Sequence, residues 1–288
     1  MVDVNVFGPD GEIDTVGTRG VTVPPGEAVT FSLADVAPQT TELVVNVEAS
    51  RGRVAVAASD RFAVGPTAPV GIEWVGDTVR PSRTVRLAGV PTVQAPTNTL
   101  VVGNPSDSEA LVEVAVSGRD GAFVPTGLGE ISVAPGVVET VDLDDVLPTG
   151  EAVAVRVRAQ VPVVAALRVS ARTDTAYADV ATPLVGQAVA PVRSRGRTTV
   201  QLTAGTARAV ARVEGFTAEG RSTGDERVEV PPTATTRWRP APRSAYVVVH
   251  PVAGSLFGAA VYDRPGSATL ALHSLPIRVR VPEVVPGP

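Results

Sequence analysis

Apolar and polar residues alternate one by one along several short stretches of the chain. Val112, Val114 and Val116 are spaced two residues apart, and the residues between them are polar or small. Residues 153–158 and 277–281 repeat this spacing. A period of two is typical of a β-strand with one buried face, so the pattern predicts strands of antiparallel sheets.

Turn-forming residues separate these stretches. Pairs such as Asp120-Gly121 interrupt the alternation, and the 27 Gly and 26 Pro residues are spread along the chain. This spread is typical of turns between strands rather than of a disordered tract. No amphipathic pattern exceeds about two helical turns. The sequences LADV (33–36) and LDDV (143–146) are each predicted to form a single helical turn.

One phrase occurs twice in the chain. Residues 23–36 read VPPGEAVTFSLADV and residues 133–146 read VAPGVVETVDLDDV, which agree at 7 of 14 positions. The same offset of 110 residues aligns 44–47 with 154–157. A constant offset over this distance indicates duplicated units.

A third copy is weaker, with residues 210–220 resembling 111–121 and 246–260 resembling 44–58. The three copies predict three domains, which are residues 1–92, 93–192 and 193–288.

The first unit is predicted to be incomplete. The second copy opens with TLVVGNPSD (99–107), and the chain begins after the equivalent position of the first copy. We therefore expect the first unit to lack its leading strand, and Met1 not to be the natural start of the ancestral unit. An incomplete sheet exposes an edge that can pair with another chain, and a strictly monomeric light-scattering profile would contradict such pairing.

The fold class predicted from these patterns is all-β. Each unit offers about seven short strands within about 100 residues, which is typical of immunoglobulin-like or fibronectin-like sandwiches arranged in tandem. A β-propeller is the alternative, since its blades repeat about every 40 to 50 residues, but the chain shows no similarity at half the period.

Composition limits the possible partners. Hydrophobic residues make up 44% of the chain and aromatic residues 4%, so the core must consist mainly of Val and Ala. The net charge is −5, which does not favour binding to nucleic acid. The absence of Cys excludes disulfides and thiolate chemistry. No apolar run reaches the roughly 18 residues that span a bilayer, and no signal peptide is visible after Met1.

The sequence offers no catalytic, cofactor-binding or metal site. His250 and His273 lack the spacing of metal ligands or of a general base with its partner. The acidic segment 142–145, with Glu151 beyond it, loosely resembles a calcium loop, but its spacing is not that of an EF-hand. We interpret it as a turn or cap, with calcium binding as the alternative, and predict that the protein is not an enzyme and needs no cofactor.

The two tryptophans are the candidate contact residues. Trp238 lies between Arg237 and Arg239, with Tyr246 nearby, and these four residues form a candidate cationic and aromatic ligand contact. The alternative is that Trp238 and Trp74 both fill gaps that small side chains leave between sandwiches. Exposure of Trp238 distinguishes the two interpretations.

The motif NP…DG…PG…L, present at Asn104-Pro105, at 120–121, at 135–136 and at Leu143, resembles an uncharacterised family of actinobacterial proteins. That family is secreted or envelope-associated and is classed only as a domain of unknown function. The resemblance implies export and a fold of several sandwiches. It implies no catalytic residues.

The sequence leaves three functional hypotheses. The first is a non-enzymatic structural or interaction protein, located outside the cell or in its envelope. Its partner is unknown, and a cell-wall polysaccharide and another envelope protein are the candidates. The alternative is a carbohydrate-binding module that uses Trp238 and Tyr246 on cell-wall glycan. The third is an enzyme, which requires two carboxylates facing one cleft about 5–10 Å apart.

Overall fold

A computed structural model of the chain describes residues 1–14, 17–38, 40, 42–63, 69–75, 80–93, 96–171, 174–193, 195–263 and 266–276. Within these ranges the regular elements are antiparallel strands and one four-residue helix. The prediction of an all-β protein is therefore confirmed. The immunoglobulin-like arrangement in tandem stays a prediction. The strand expected at 277–281 lies outside the described residues.

Strand pairing gives five sheets, which we group along the chain into three lobes. The first lobe has a three-stranded sheet of order β2-β1-β3 and a separate β4-β5 pair. Its elements are β1 (Val2–Gly8), β2 (Gly11–Ile13), α1 (Leu33–Val36), β3 (Val44–Ala49), β4 (Ala58–Ala63) and β5 (Pro69–Val75).

The second lobe has two sheets that share one long strand. Its strands are β6 (Ser82–Leu87), β7 (Thr97–Gly103), β8 (Ala110–Gly118), β9 (Gly121–Phe123), β10 (Ile131–Val133), β11 (Val138–Asp142), β12 (Ala154–Ala171) and β13 (Asp174–Ala178). Residues 154–158 of β12 pair with β8 and β6, whereas residues 164–170 pair with β7, and the end of β12 pairs with β13. One layer therefore has the order β10-β8-β12-β6 and the other has β11-β7-β12-β13.

The third lobe repeats this order with separate strands. Its layers are β14-β19-β16-β17 and β18-β15-β20-β21. The strands are β14 (Ala188–Pro191), β15 (Arg197–Ala204), β16 (Ala209–Phe216), β17 (Ser222–Val230), β18 (Thr235–Trp238), β19 (Tyr246–Ala253), β20 (Leu256–Asp263) and β21 (Ser267–Ala271). β19 and β20 together take the place of β12.

The crossing from one layer to the other occurs where the strand pairing is interrupted. The pairing of β12 with β6 shifts between Arg158 and Val163, and Pro162 lies in this interval. Proline cannot donate a ladder hydrogen bond, so it suits this break. In the third lobe the break falls at Gly254, whose φ is 74° and whose position leaves no room for a side chain beside the backbone of Arg208.

Each complete lobe has its own core of small branched side chains. The second is built mainly from Val, with Leu87, Leu100 and Leu167 fully buried. The third adds Trp238 and Tyr262 to a similar set. Val and Ala fill both cores, as the composition requires, since alternating Val residues suit a pleated surface with one buried face.

The predicted domain boundaries at residues 92 and 192 stay predictions, and strand pairing crosses both of them. β6 precedes residue 92 but pairs with β12 of the second lobe. β14 precedes residue 192 but pairs with β19 of the third lobe. The second lobe therefore begins at β6 and the third at β14.

The second and third lobes meet in a buried contact. The Nε2 of Gln201 donates to the backbone oxygen of Val90 at 3.0 Å, and the Oγ1 of Thr235 donates to that of Ser117 at 2.9 Å. Both hydrogen bonds are buried. A side chain added at Gly89 would lie 2.5 Å from the Cβ of Ala259, so the two backbones approach too closely for any residue but glycine.

Candidate interaction surfaces

Trp238 lies in the core of the third lobe. Its side chain is 8% exposed, and its Nε1 donates to the Oε2 of Glu226 on the opposite layer at 2.9 Å. The ring face is therefore not available to a ligand, and the predicted ligand contact at Trp238 is wrong in this geometry. Of the two interpretations, the structure supports the one in which this ring fills space in the protein.

Arg237 and Arg239 are both exposed on either side of Trp238. Neighbouring residues of a strand point to opposite faces. The two guanidinium groups consequently stand on the solvent side while the indole points inward, so the three side chains do not form one surface.

Tyr246 lies on the outer face of the β14-β19-β16-β17 layer, apart from the buried Trp238. It is directly opposite Phe216, and the two rings stack with centroids 5.2 Å apart and planes at 12°. Both rings are half-buried. A half-buried aromatic pair on a solvent-facing sheet offers apolar surface that a ligand or a partner side chain can contact.

Trp74, on β5, is the exposed tryptophan of the protein, with 66% of its surface accessible. The expectation that it fills a gap between sandwiches is therefore wrong.

Glu73, the neighbour of Trp74 on β5, points the other way and is only half-exposed. Burial, followed by the carboxylates of Asp174 and Asp179, raises the pKa of Glu73 to about 7. Burial alone raises the pKa of Asp179 to about 6.

Asp174 connects the lobes at this acidic cluster. Its Oδ2 accepts from the backbone nitrogen of Ser267 in the third lobe at 2.5 Å, and its Oδ1 accepts from that of Thr175 at 3.0 Å. Its side chain also lies where a side chain at Gly71 of the first lobe would be. One carboxylate of the second lobe thus contacts both other lobes.

A second contact fixes the first lobe to the second. The hydroxyl of Tyr177 donates to the Oδ2 of Asp60 at 2.7 Å, and Arg168 forms an ion pair with Glu42 at 2.7 Å. Burial, together with the hydrogen bond to Asp60, raises the pKa of Tyr177. Burial also raises the pKa of Glu42, although the charge of Arg168 opposes this shift.

The acidic segment 142–145 forms a turn. Asp144 accepts a hydrogen bond from the backbone nitrogen of Asn98, and the Oδ1 of Asp142 accepts from that of Asp144 at 2.8 Å. Asp144 thus ties the turn to β7 and Asp142 closes the turn itself, in agreement with the interpretation as a turn. Among the described residues, no group of three or more His, Asp or Glu side chains is placed to hold a metal ion.

A cleft between the second and third lobes is small. Its volume of about 20 Å³ has room for about one water molecule. At the edge of this cleft, the guanidinium of Arg86 lies 4.5 Å from the centre of the Phe257 ring. Burial, and then the charges of Arg156 and Arg158, lower the pKa of Arg86. The residues found lining this cleft include no carboxylate.

The contacts between lobes were not predicted from the sequence. Asp60, Asp174 and Tyr177 follow no motif, and their partners are about 90 or more residues away in the chain. The burial of Trp238 could have been predicted. Arg237 and Arg239 flank it in the sequence, and successive residues of a strand point to opposite faces, so Trp238 is expected on the apolar face.

Three antiparallel lobes, two of them with the same strand order, define a class of all-β proteins built from repeated units. The chain belongs to a family of unknown function, DUF5719, whose family model matches residues 1–241. This confirms the resemblance to a family of unknown function, while the association with secreted actinobacterial proteins stays a prediction. No curated protein matches the chain.

The matched residues end inside the third lobe. β19 and β20 lie beyond residue 241 but pair with β14, β15 and β16, which lie before it, and β21 pairs with β20. The third lobe therefore includes residues outside the matched range. Within the described part of the chain, no helix has the length and apolar character needed to cross a membrane.

Proposed function

We propose that this protein is a non-enzymatic structural and interaction protein of the extracellular space or cell envelope, in which the lobes act as a rigid spacer. The observation that carries the proposal is the contact between the second and third lobes. Gln201 and Thr235 donate buried hydrogen bonds across it, and Gly89 packs against Ala259. A flexible linker between independent modules would not need buried, oriented contacts of this kind.

The absence of Cys allows a direct test of rigidity. The exposed residues Glu139, in the second lobe, and Arg221, in the third, are replaced by cysteine and spin-labelled. Pulsed electron resonance then measures the distance between the labels. One narrow distribution is expected, and the double variant Q201A/T235A should broaden it. A broad distribution in the otherwise unchanged chain would refute the rigid spacer.

Location is tested separately. Cells that produce the protein natively are fractionated, and the protein is followed by immunoblot. The proposal expects it in the envelope or medium fraction, and recovery only from the cytosol would contradict it.

The alternative function is a carbohydrate-binding module, which the stacked Phe216 and Tyr246 favour because they lie half-exposed on the outer face of a sheet. The test is co-sedimentation with isolated bacterial cell-wall polysaccharide. Binding that is lost in Tyr246→Ala but kept in Arg208→Ala, an exposed control, would support glycan binding. No sedimentation of the unchanged protein would refute it. Trp238→Ala is unsuitable, since it removes a core side chain.

A further inference from the structure

The outer face of one layer of the second lobe carries two arginines directly opposite each other. In the layer β10-β8-β12-β6, Arg156 of β12 is the cross-strand partner of Arg86 of β6. Arg158, two residues further along β12, lies on the same face. Like charges that face each other across neighbouring strands are destabilising, because their side chains lie close together. A negative group beside the pair would offset this repulsion.

The protein itself offsets only part of this charge. The Nη2 of Arg156 lies 3.7 Å from the Oε1 of the exposed Glu113. None of the ion pairs in the described part of the chain includes Arg86. Its pKa is lowered by burial and then by the charges of Arg156 and Arg158, as expected for a cation without a counter-charge. Glu113 thus balances Arg156, and the charge of Arg86 stays uncompensated.

Both arginines line the cleft between the second and third lobes. The guanidinium of Arg86 is held against the ring of Phe257, which belongs to the third lobe. Thr206, which also lines the cleft, is exposed, so the cleft opens to solvent. The cleft therefore places an uncompensated positive charge where a ligand can reach it.

Two hydrogen-bond donors on this lining have no acceptor in the described part of the chain. The Nε of Arg156 is buried and has no hydrogen-bond partner. The Oγ1 of Thr233 accepts from the backbone nitrogen of Ala122 at 2.9 Å, which leaves its own proton available to donate. A buried donor without an acceptor is unfavourable, because it has lost its hydration and gained nothing in return. The lining therefore offers donors as well as charge.

Thr233 has a strained backbone at this lining. Its φ of 59° lies in the left-handed region, which a β-branched residue rarely adopts. Its backbone nitrogen donates to the oxygen of Gly205 at 2.8 Å, while its hydroxyl bonds the second lobe at Ala122. Strain of this kind persists only where surrounding contacts impose it, and it occurs preferentially at functional sites. The contacts of Thr233 thus fix a hydroxyl beside the two arginines.

We propose that this cleft is an anion site, in which Arg86 and Arg156 bind one carboxylate group of a ligand. A guanidinium is planar and donates two parallel hydrogen bonds to a carboxylate, so two such groups can share its oxygens. The cleft has a volume of only about 20 Å³, so only the end of a ligand enters it. Glu113 lies near enough to oppose a second negative charge. A monovalent carboxylate therefore fits this site better than a sulfate or phosphate dianion.

Binding is measured by NMR on the full chain, titrated with sodium acetate at constant ionic strength. The Nε–H signals of Arg86 and Arg156 are expected to move and to saturate. The signal of Arg83, an exposed arginine of β6, should not move. Sodium chloride and sodium sulfate are the comparison salts, and each should bind about tenfold more weakly than acetate, since neither matches the geometry of two guanidinium groups. Equal shifts with all three salts would show only a general charge effect and would overturn the proposal.

Matched variants test the role of each arginine. Arg156→Gln removes the charge and should weaken acetate binding about tenfold or more. Arg156→Lys keeps the charge without the planar fork, so it should weaken binding by about threefold. Arg86→Gln should act as Arg156→Gln does, whereas Arg83→Gln removes a charge from the same strand and should leave binding unchanged. Equal weakening by Arg156→Gln and Arg83→Gln would overturn the placement.

Stability provides a test that a purely structural arginine would not pass. Without acetate, Arg156→Gln relieves the repulsion with Arg86, so its melting temperature should equal or exceed that of the unchanged protein. Acetate should raise the melting temperature of the unchanged protein but not of the variant, because a ligand stabilises only the state that binds it. A lower melting temperature in the variant, together with unchanged acetate binding, would show that Arg156 is only structural and would overturn the proposal.

Two sources of the carboxylate are distinguished by comparing acetate with the blocked tripeptide acetyl-Gly-Glu-Gly-amide. Each carries one carboxylate, so both are expected to move the signals of Arg86 and Arg156. Tighter binding of the tripeptide identifies an acidic side chain of a partner polypeptide as the source, and tighter binding of acetate identifies a small free acid. Movement of these signals by neither ligand would overturn the proposal.

The inference goes beyond the proposed function and is independent of it. The spin-label distance between the second and third lobes is measured without any carboxylate ligand. A rigid junction that binds no acetate, or a broad distance distribution in a protein that binds acetate, would each refute one proposal and leave the other.

Discussion

The first and second lobes carry the same phrase in two structural states. Residues 138–142 form the strand β11, which pairs with β7, whereas residues 28–32 form no strand and are exposed. The turn before each is the same, since Gly26 and Gly136 have φ values of 79° and 71°. The local sequence therefore specifies the turn in both lobes. The strand additionally requires a partner, because β-structure depends on cross-strand neighbours more than on intrinsic preference.

The largest expected difference between the two lobes is in the loss of stability when one side chain is truncated in each. Leu100→Ala removes a fully buried side chain of β7 and is expected to lower the free energy of unfolding by about 2–5 kcal/mol. Phe31→Ala, at a partly exposed residue, should cost about 1 kcal/mol or less. Urea denaturation measures both. Equal losses would mean that residues 28–32 are as tightly packed as β7.

A second test removes the polar anchor at the end of β7. The Nδ2 of Asn104 donates to the backbone oxygens of Ser108 at 2.8 Å and Val133 at 3.0 Å. Asn104→Ala removes the buried hydrogen bond to Val133, so a loss of about 1–3 kcal/mol is expected in urea denaturation. Asp107→Ala, in the same turn, should change stability by less than about 0.5 kcal/mol. Equal effects would show that the amide is not the anchor.

The acidic cluster of Glu73, Asp174 and Asp179, where the first and second lobes meet, is expected to make stability depend on pH. The folded-state pKa values of Glu73 and Asp179 are raised, to about 7 and about 6, so the folded protein binds more protons than the unfolded chain. Stability should therefore fall as pH rises from about 4 to about 7, and level off above that range. Thermal unfolding across this range measures the slope.

The double variant E73Q/D179N should flatten that slope and be more stable than the unchanged protein at pH 8. Glu139→Gln, at an exposed carboxylate of β11, is the control and should keep the slope. If the double variant keeps the full slope, other groups account for the pH dependence.

The smallest effect is spectroscopic and compares the first and third lobes. Trp74→Phe leaves only Trp238, whose emission should be blue-shifted and protected from acrylamide because the ring is buried. Trp238→Phe leaves only Trp74, whose emission should be red-shifted and readily quenched, since 66% of it is exposed. Identical quenching of the two variants would contradict the assigned environments.

Local periodicity predicted the parts of the fold that local chemistry determines. The spacing of Val112, Val114 and Val116 predicted β8, and LADV forms the helix α1. The offset of 110 residues aligned residues 44–47 with 154–157, and strands β3 and β12 begin at these two ranges. The single turn expected at 143–146 is also present, with the backbone nitrogen of Val146 donating to the oxygen of Leu143 at 3.1 Å.

The candidate site was predicted less well because it depends on which face of a strand is covered. Period two shows that Trp238 and its neighbours Arg237 and Arg239 face opposite ways, but the interpretation placed all three on one surface. No such pattern predicts the exposure of Trp74. Which face of β5 is covered depends on residues more than 90 positions later in the chain, such as Asp174 and Asp179. Contacts at that separation leave no pattern in the local sequence.

The continuous strand β12 has a mechanical consequence. Residues 154–158 belong to one layer and residues 164–170 to the other, so a covalent chain joins the two layers across the core. Tension applied to either layer is transmitted to its neighbour through peptide bonds rather than through side-chain contacts alone. The second lobe should therefore resist separation of its layers until the whole lobe yields, and single-molecule pulling should record one rupture for it.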